Sequence, residues 1–144
     1  MFIVNVEAAV LKDGKWLIVK RSAKEEHAGG MLALVGGKVD IEGFSSDILE
    51  RTIVREVAEE VGIQIKKYTQ YIHSTTFVTE LGENVVDIVF LCQHEAGEAF
   101  AKSPDEVDEV MWLTTEEILN EETAPDYLKE SIKRADQLRR TRSC

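Results

Sequence analysis

The segment between Gly36 and Ile63 constrains the fold most, because a glycine pair leads into a helical pattern that carries three closely spaced glutamates. Successive residues of a helix turn by about 100°. One broad apolar arc is therefore expected from Ile53, Val54, Val57, Ala58 and Val61. The other side is expected to hold Glu56, Glu59 and Glu60, whose i, i+3, i+4 spacing places neighbouring carboxylates a few Å apart. The pattern predicts an amphipathic helix with one acidic face.

An acidic helix face has two interpretations. For an isolated E-x-x-E-E pattern a solvated surface is the commoner one, since the polar face of a helix usually meets water. The other is a site for a hard cation, because magnesium takes oxygen ligands and leaves positions for substrate phosphates. The surroundings favour the cation site: Gly36-Gly37-Lys38-Val39 precedes the helix, Arg55 adjoins the carboxylates and Gly62 ends it.

Together these residues resemble the signature of the Nudix hydrolase family. The motif reads Gly37…Arg55-Glu56-Val57-Ala58-Glu59-Glu60-Val61-Gly62-Ile63. Its second half agrees with the family pattern R-E-U-x-E-E-x-G-U, where U is a bulky aliphatic residue, at every fixed position. The resemblance implies an α/β fold of the Nudix type, an α/β/α sandwich with a mixed sheet. It extends over most of the chain, so one Nudix hydrolase domain is expected over residues 1–144.

The resemblance also implies roles for individual residues. Glu56, Glu59 and Glu60 are the expected ligands of Mg²⁺, or of Mn²⁺ in its place, and the Gly37 carbonyl is a further expected ligand. Two or more metal ions are expected. Glu56 is expected to orient or deprotonate the attacking water, and Arg55 to hold a carboxylate in place. Glu56, Arg55 and Glu59 thus form the expected catalytic group.

The sequence departs from the family pattern just before the helix. The pattern expects Gly, five residues, Glu, seven residues and then Arg, whereas Asp47 stands where the Glu is expected and nine residues separate it from Gly37. The loop at 40–47 therefore carries an insertion of four residues, nine minus five. Either Asp47 replaces the glutamate as a helix cap, with Glu50 completing a capping box, or Glu42 reaches back from the enlarged loop. The first alternative is favoured because a short carboxylate caps a helix start well.

Four residues outside the helix are candidates for substrate contacts. Arg21 ends a predicted strand and Lys38 follows the glycine pair, and each side chain suits a phosphate. The acidic run at 105–109 offers Glu106 or Glu109 as a second base, since some family members use a carboxylate late in the fold. An ordinary charged strand edge is the competing interpretation for each of these residues.

The remaining segments alternate strand and helix signals, which predicts a mixed sheet with helices on both sides. Strands are expected at residues 3–11, 16–20, 31–35, 68–79, 85–93 and 107–113, with a hairpin turn at Asp13-Gly14 and a break at Gly36-Gly37. Helices are expected at 47–61, from a Thr114 or Thr115 cap through Ile118, and from Pro125 onward.

Composition limits the partners. A net charge of −10 would repel a long phosphate backbone, so no nucleic acid polymer is expected, whereas bound cations would admit a small phosphorylated substrate. No apolar run reaches the roughly 18 residues of a membrane span, so no membrane partner is expected, and no signal-peptide pattern opens the chain. The only cysteines, Cys92 and Cys144, make no disulfide framework, and a cytoplasmic location is expected. A homodimer is compatible with the sequence because it is the commonest assembly.

The resemblance leaves several functions open. It implies a metal-dependent hydrolase of a nucleoside diphosphate linked to another moiety. A nucleoside triphosphate pyrophosphohydrolase of MutT type is favoured, because the proline that the ADP-ribose subgroup is expected to carry near Thr79 is absent. An ADP-ribose or nucleotide-sugar pyrophosphatase is the first alternative. A non-nucleotide substrate, such as an isoprenyl or inositol phosphate, and a non-catalytic nucleotide-binding regulatory module are the others; loss of motif glutamates would favour the last.

Overall fold

The computed structural model describes residues 1–25 and 28–141, and within these ranges eight strands form one mixed sheet accompanied by three helices. The strands are β1 (Phe2–Lys12), β2 (Lys15–Arg21), β3 (Leu32–Ala33), β4 (Val35–Lys38), β5 (Gln64–Ile65), β6 (Gln70–Val78), β7 (Asn84–Ala96) and β8 (Val107–Leu113). The helices are α1 (Ile48–Val61), α2 (Thr115–Leu119) and α3 (Asp126–Thr141). In the described ranges, none of the helices combines the length and apolar character needed to cross a membrane.

The central strand β1 determines where the sheet divides. Along one edge it runs parallel to β7 over nearly its whole length. Along the other edge it pairs antiparallel with β4 at residues 5–8 and with β2 only at Leu11 and Lys12. β3 and β8 flank β2, while β5 and β6 pair with β7. The sheet therefore forks beside β1, with β4 in one branch and β2 in the other.

Two apolar cores lie on opposite faces of the sheet, because alternate residues of a strand point to opposite sides. One core joins β1 to α1 and contains Val6 and Val57. The other joins β1 and β2 to α3 and contains Ala9, Trp16 and Ile132. Helices thus cover both faces, which confirms the predicted α/β/α sandwich with a mixed sheet.

Several local sequence signals are confirmed. The β1–β2 hairpin turns at Asp13 and Gly14, whose φ values of 50° and 76° are the left-handed values that a type I′ turn requires. Thr114 caps α2: its hydroxyl accepts from the Glu117 N–H, and the Glu117 carboxylate accepts from the Thr114 N–H at 2.8 Å. The last helix follows Pro125, as predicted.

The sequence predicts that the strand pattern ends at Gly36-Gly37, and this prediction is wrong. Two short strands replace the one expected at 31–35: β3 pairs with β2, while β4 carries both glycines alongside β1. Gly36 lies opposite Glu7 in that pairing, and a Cβ on Gly36 would come within 3.0 Å of the Glu7 Cα. The missing side chain therefore allows close approach of two backbones, which is the other common use of glycine in a strand.

The predicted carboxylate cap of α1 is also wrong. Asp47 directly precedes the helix, yet its φ of 56° is left-handed and its side chain makes no capping hydrogen bond. A capping side chain needs extended backbone at its own residue to reach the free N–H groups of the first turn. The alternative describes the loop better, because the Glu42 carboxylate reaches back and accepts from Arg51 Nη2 at 2.8 Å. The other end of α1 is as predicted, with Gly62 left-handed at φ 71°.

The cysteines carry no evident chemistry within the described residues. Cys92 is buried in β7, and burial raises the pKa of its thiol to about 12. A thiol in apolar surroundings is unreactive, so Cys92 acts as a small apolar side chain. Cys144 lies outside the described residues.

Candidate active site

A cleft of about 560 Å³ opens beside the fork of the sheet, and it gathers most of the predicted functional residues. Those that line it are Arg21, Gly37, Lys38, Arg55, Glu56, Glu59, Glu60 and Glu106. Glu109 is not among the lining residues, because it lies along β8 opposite Lys20. Of the two carboxylates proposed from the acidic run, the structure therefore brings only Glu106 to the cleft.

Three carboxylates meet inside this cleft. Oxygen atoms of Glu56, Glu60 and Glu106 all lie within 4.8 Å of one another. Glu56 and Glu60 are one turn apart on α1, so they project from the same side of the helix. Glu106 arrives from the turn before β8, far along the chain. The cluster therefore combines two neighbouring glutamates with one brought in by tertiary structure.

The segment at 100–107 fixes the position of Glu106. It runs beside the C-terminal end of α1, where the Phe100 N–H donates to the Val61 carbonyl at 3.1 Å and the Lys102 N–H to the Glu60 carbonyl at 3.0 Å. These bonds satisfy carbonyls that a helix end leaves without partners. At the other end of the segment, the Glu106 carbonyl accepts from the Ser22 N–H at 2.9 Å. The segment that carries Glu106 is thus hydrogen-bonded both to the C-terminal end of α1 and to the loop after β2.

The structure corrects the predicted faces of α1. Glu60 is 6% exposed and lies on the buried side, whereas Val54, predicted in the apolar arc, is 48% exposed. The reason is helical geometry: Glu60 follows Ile53 by two turns and therefore shares its face. Val57 and Ile53 pack against the sheet, and Glu60 extends the same stripe toward the cleft. A charged residue in a buried stripe needs a compensating partner.

The electrostatics of the cluster fit a divalent cation. Burial, followed by the charges of Glu106 and Glu56, raises the pKa of Glu60 to about 9. The Oε2 atom of Glu60 is buried and has no hydrogen-bond partner among the described residues. Three carboxylates form the oxygen-rich donor set that Mg²⁺ and Ca²⁺ favour. A bound cation would supply a partner for Glu60 Oε2 and would offset the mutual repulsion of the three carboxylates.

Gly37 lies directly against one of these carboxylates. A Cβ at this position would come within 2.6 Å of both carboxylate oxygens of Glu56. A side chain here could be accommodated only if the Glu56 carboxylate moved, so glycine leaves that carboxylate in its observed position. β4 can thereby bring its backbone to the acidic cluster, which is compatible with the expected role of the Gly37 carbonyl.

Arg55 holds Glu56 in place. Its Nη2 atom lies 3.2 Å from Glu56 Oε1, and its Nη1 atom lies 2.8 Å from Asp40 Oδ2. Nη2 also donates to the Lys38 carbonyl at 3.4 Å. Burial raises the pKa of Glu56, and the hydrogen bond from Arg55 opposes that shift. Arg55 therefore links helix, loop and strand around one carboxylate.

Glu59 occupies a different place from its neighbours. It is exposed, and although it lines the cleft it does not belong to the three-carboxylate group. Of the three glutamates expected as ligands, Glu56 and Glu60 thus lie in the three-carboxylate group. Glu59 lies outside that group, at the mouth of the cleft.

Two cationic side chains line the same cleft as the acidic cluster. Arg21 lies at the end of β2, 3.5 Å from Glu25, and Lys38 lies at the end of β4. Both also line a second cavity of about 700 Å³, together with Asn5 and Glu25, so the two cavities adjoin each other. Positive side chains beside a carboxylate cluster suit an anionic ligand held partly by metal and partly by protein.

Sequence reasoning missed the polar residues of β1. Asn5 and Glu7 line the cleft, and Asn5 Nδ2 donates to Asp87 Oδ1 of β7 at 2.7 Å. A signal was present, because polar residues at alternate positions interrupt an otherwise apolar strand. Their meeting with Asp87 depends on the parallel pairing of β1 and β7, which no local pattern specifies.

The fold and motif have counterparts in known proteins. The model of the NUDIX domain matches residues 1–134. The uncharacterized Nudix hydrolase YfcD of Escherichia coli (strain K12) is 34% identical over 119 residues, which cover 81% of this chain and 62% of that protein. The chain thus spans about three-fifths of the length of this relative.

Solved structures agree on the fold. The crystal structure of a MutT NUDIX hydrolase from Burkholderia pseudomallei superposes with a TM-score of 0.78 at 25% identity, covering 93% of this chain and 98% of that one. The NUDIX domain of Shewanella oneidensis NrtR, solved in complex with ADP ribose, superposes with a TM-score of 0.74 at 20% identity, covering 96% of this chain and 88% of that one.

Proposed function

Because this chain belongs to the Nudix hydrolase family, we propose that it cleaves a nucleoside diphosphate linked to another moiety, and that it acts as a nucleoside triphosphate pyrophosphohydrolase of MutT type. The observation that carries the proposal is the group of Glu56, Glu60 and Glu106 oxygens in a cleft that also holds Arg21 and Lys38. That combination provides sites for a cation and for phosphate oxygens within one cavity.

The family uses divalent metal ions, and the residues of this chain offer a place for one. Glu56, Glu60 and Glu106 would hold Mg²⁺, or Mn²⁺ in its place, with the Gly37 carbonyl as a further ligand. Glu59, at the mouth of the cleft, is available for a second ion. When bound, the metal supplies charge neutralisation for the diphosphate and lowers the pKa of water.

The protein side chains do the positioning. Arg21 and Lys38 bind phosphate oxygens and set the direction from which the diphosphate enters. Arg55 keeps the Glu56 carboxylate from rotating, because it holds that group at 3.2 Å while it is tied to Asp40 at 2.8 Å. Glu56 orients the attacking water. Charge neutralisation and alignment are the main contributions that a protein makes to phosphoryl chemistry.

The group linked to the diphosphate defines the substrate, and two candidates have support. The similarity to a MutT NUDIX hydrolase from Burkholderia pseudomallei supports a function of MutT type, for which we propose nucleoside triphosphates. The NrtR domain was solved with ADP ribose, and the second cavity of about 700 Å³ has room beyond the phosphates for such a conjugate. We place nucleoside triphosphates first because the chain lacks the proline expected near Thr79.

A substrate panel tests the proposal. Nucleoside triphosphates, ADP-ribose, UDP-sugars and an isoprenyl diphosphate are incubated with Mg²⁺ or Mn²⁺, and the products are separated by ion-exchange chromatography. The products to be measured are pyrophosphate and a nucleoside monophosphate from a triphosphate, AMP and ribose 5-phosphate from ADP-ribose, UMP and a sugar 1-phosphate from a UDP-sugar, and phosphate from the isoprenyl diphosphate. We expect pyrophosphate from a nucleoside triphosphate, loss of turnover with EDTA, and loss of turnover in a folded Glu60→Gln variant. Nucleotide binding without turnover of any compound would instead identify a regulatory module.

A further inference from the structure

Asn5, Glu7 and Asp87 are three polar residues that form a connected group at one side of the cleft. The proposed hydrolysis does not use them. Asn5 and Asp87 lie opposite each other on the parallel strands β1 and β7, and Asn5 Nδ2 donates to Asp87 Oδ1 at 2.7 Å. The Glu7 carboxyl group, two residues further along β1, hydrogen-bonds the Asp87 side chain. Asp87 is only 7% exposed, so it is the buried residue against which the other two are positioned.

This group is placed where a substrate passes. Glu7 lines the same cleft as the carboxylate cluster, and Asn5 lines both that cleft and the second cavity. Arg21 is close enough to Glu7 for its charge to favour the ionised form of that carboxyl. A ligand whose phosphates contact Arg21 can therefore place its next chemical group against Glu7 and Asn5.

Keeping two acidic side chains together here is unfavourable for folding. Burial, followed by the hydrogen bond and the charge of Asp87, raises the pKa of Glu7 well above its ordinary value. Two adjacent carboxyl groups are stable only when a proton lies between them. An acidic pair at an apolar strand centre lowers stability, and such groups are typically found where a ligand is recognised.

The next row of the sheet offers an apolar wall. Ile3, Val85 and Phe77 lie side by side on β1, β7 and β6, and all three line the second cavity. They stand two residues from the Asn5–Asp87 row on the same face, a step of about 7 Å. A flat ring lying on this wall would place its edge against the carboxyl and amide oxygens. Those oxygens accept hydrogen bonds, so they suit a ring that carries N–H donors.

We propose that Glu7 and Asn5 determine substrate specificity by recognising an amino-substituted heterocyclic base, with Asp87 as the residue that positions them. The inference rests on the proposed function, since the phosphates must lie at Arg21 and Lys38 for the base to reach this group. Sugar hydroxyls are the other donors that a nucleotide carries, and the experiment separates them from the base.

The test compares nucleotides that differ by one amino group. GTP is paired with ITP, and ATP with purine riboside triphosphate; kcat and KM are measured for each, with GTP against dGTP to probe the sugar hydroxyl. We expect about a tenfold to hundredfold preference for the amino-bearing member of at least one pair, the usual range for a hydrogen bond to a charged group. Glu7→Leu is expected to reduce that preference to within about threefold, chiefly through KM.

Two further variants keep the test decisive. Glu7→Gln preserves the size of the side chain and can still donate to Asp87, so it folds even if Glu7→Leu does not, and we expect it to lower the preference at least threefold. Asp87→Asn is expected to raise KM for the amino-bearing nucleotide without changing kcat, which a general loss of structure would not do. Glu95→Gln, an exposed carboxylate on β7, is the control and should leave the preference unchanged.

The outcomes distinguish this inference from the proposed function. An amino-group preference that persists in folded Glu7→Leu and Glu7→Gln proteins would overturn the inference, as would a change confined to the GTP and dGTP comparison. Hydrolysis without any amino-group preference would also overturn it while leaving the hydrolase intact. If no nucleotide is hydrolysed, the binding of the same nucleotides is measured by calorimetry in the presence of EDTA. An amino-group preference in binding, lost in Glu7→Leu, would support the inference even if no nucleotide were hydrolysed.

Discussion

The two halves of α1 are held by different kinds of contact, and two arginines one turn apart show the difference. Arg51, in the N-terminal half, donates to Glu42 at 2.8 Å, to the Ser45 hydroxyl at 3.1 Å and to the Ser46 carbonyl at 2.9 Å. Arg55, in the C-terminal half, joins Asp40 to Glu56. Both arginines reach the loop at 40–47, but only Arg55 also reaches the acidic cluster.

Exposure determines what these contacts do. The side chain of Arg51 is 49% exposed, and solvent-exposed ion pairs contribute little to stability. The Glu56 side chain is 14% exposed, so its contact with Arg55 is better shielded from water. We conclude that the enlarged loop is tied to the helix on its solvent side, whereas the site geometry is set by β4 and the C-terminal half of α1. An insertion at 40–47 can therefore be accommodated without disturbing the carboxylates.

The largest expected effect comes from making the same substitution, glutamate to glutamine, in each half of α1. Glu60→Gln removes a carboxylate of the cluster, and kcat should fall by more than about a hundredfold, since even the outer partners of metal ligands cost 10–100-fold. Glu50→Gln, in the first turn, should stay within about twofold because it contacts none of the cluster. Thermal melts verify that both variants fold. Equal losses in the two variants would erase the distinction between the halves.

The second effect concerns glycine. Gly37→Ala introduces a Cβ within 2.6 Å of the Glu56 carboxylate oxygens, so the carboxylate must move. A displacement of about 1 Å can cost about a hundredfold in rate, and we expect a loss of that order in kcat. Gly43→Ala, in the inserted loop, meets no atom within 4 Å, although its φ of 70° disfavours alanine. It should lower the Tm slightly and leave kcat unchanged; wild-type kcat in Gly37→Ala would show that Glu56 does not need its observed position.

The two arginines give the third effect. Arg55→Ala releases Glu56, and kcat should fall by about tenfold to a hundredfold, as for other residues that orient metal ligands. Arg51→Ala removes only exposed contacts and should keep kcat within about twofold. Steady-state kinetics on the best substrate of the panel decide the matter. If Arg51→Ala proved as damaging as Arg55→Ala, the loop would have to be regarded as part of the site.

The smallest effect is a pH dependence in the N-terminal half. Hydrogen bonds from Arg51, and then from Ser45, lower the pKa of Glu42. A folded-state pKa below the unfolded value of 4.5 means that this contribution is present above pH 4.5 and is lost as the pH falls through the folded pKa. Arg51→Ala lacks the contribution, so its Tm should decline less than that of the wild type between pH 6 and pH 3. Parallel declines would mean that the pair does not stabilise the loop.

The parts of the molecule that depend on local pattern could be predicted from the sequence. The Asp13-Gly14 hairpin, the Gly62 end of α1 and the motif residues follow from turn chemistry and spacing. The buried position of Glu60 was also implicit, because it lies two turns after Ile53. The cap predicted at Asp47 is wrong because the backbone of this residue is left-handed, which its local preference for helix starts does not reveal.

Residues assembled by tertiary pairing could not be found in that way. Glu106 reaches the cluster because the segment at 100–107 bonds to the end of α1. From the sequence, the acidic run at 105–109 predicts Glu106 and Glu109 equally. The register of β8 places Glu109 opposite Lys20, away from the cluster. Glu7 and Asp87 meet through the parallel register of β1 and β7. Each case requires knowing which distant strand or segment lies alongside, and no residue pattern within one segment contains that information.

The central claim is that Glu56, Glu60 and Glu106 together hold a divalent cation, and Mn²⁺ titration of the substrate-free protein by calorimetry tests it most directly. We predict binding by the wild type, and a dissociation constant raised at least about tenfold in Glu106→Gln, the effect expected when a carboxylate ligand is lost. Asp108→Asn, two residues away and exposed on β8, should bind as the wild type does. Unchanged Mn²⁺ affinity in a folded Glu106→Gln protein would contradict the account.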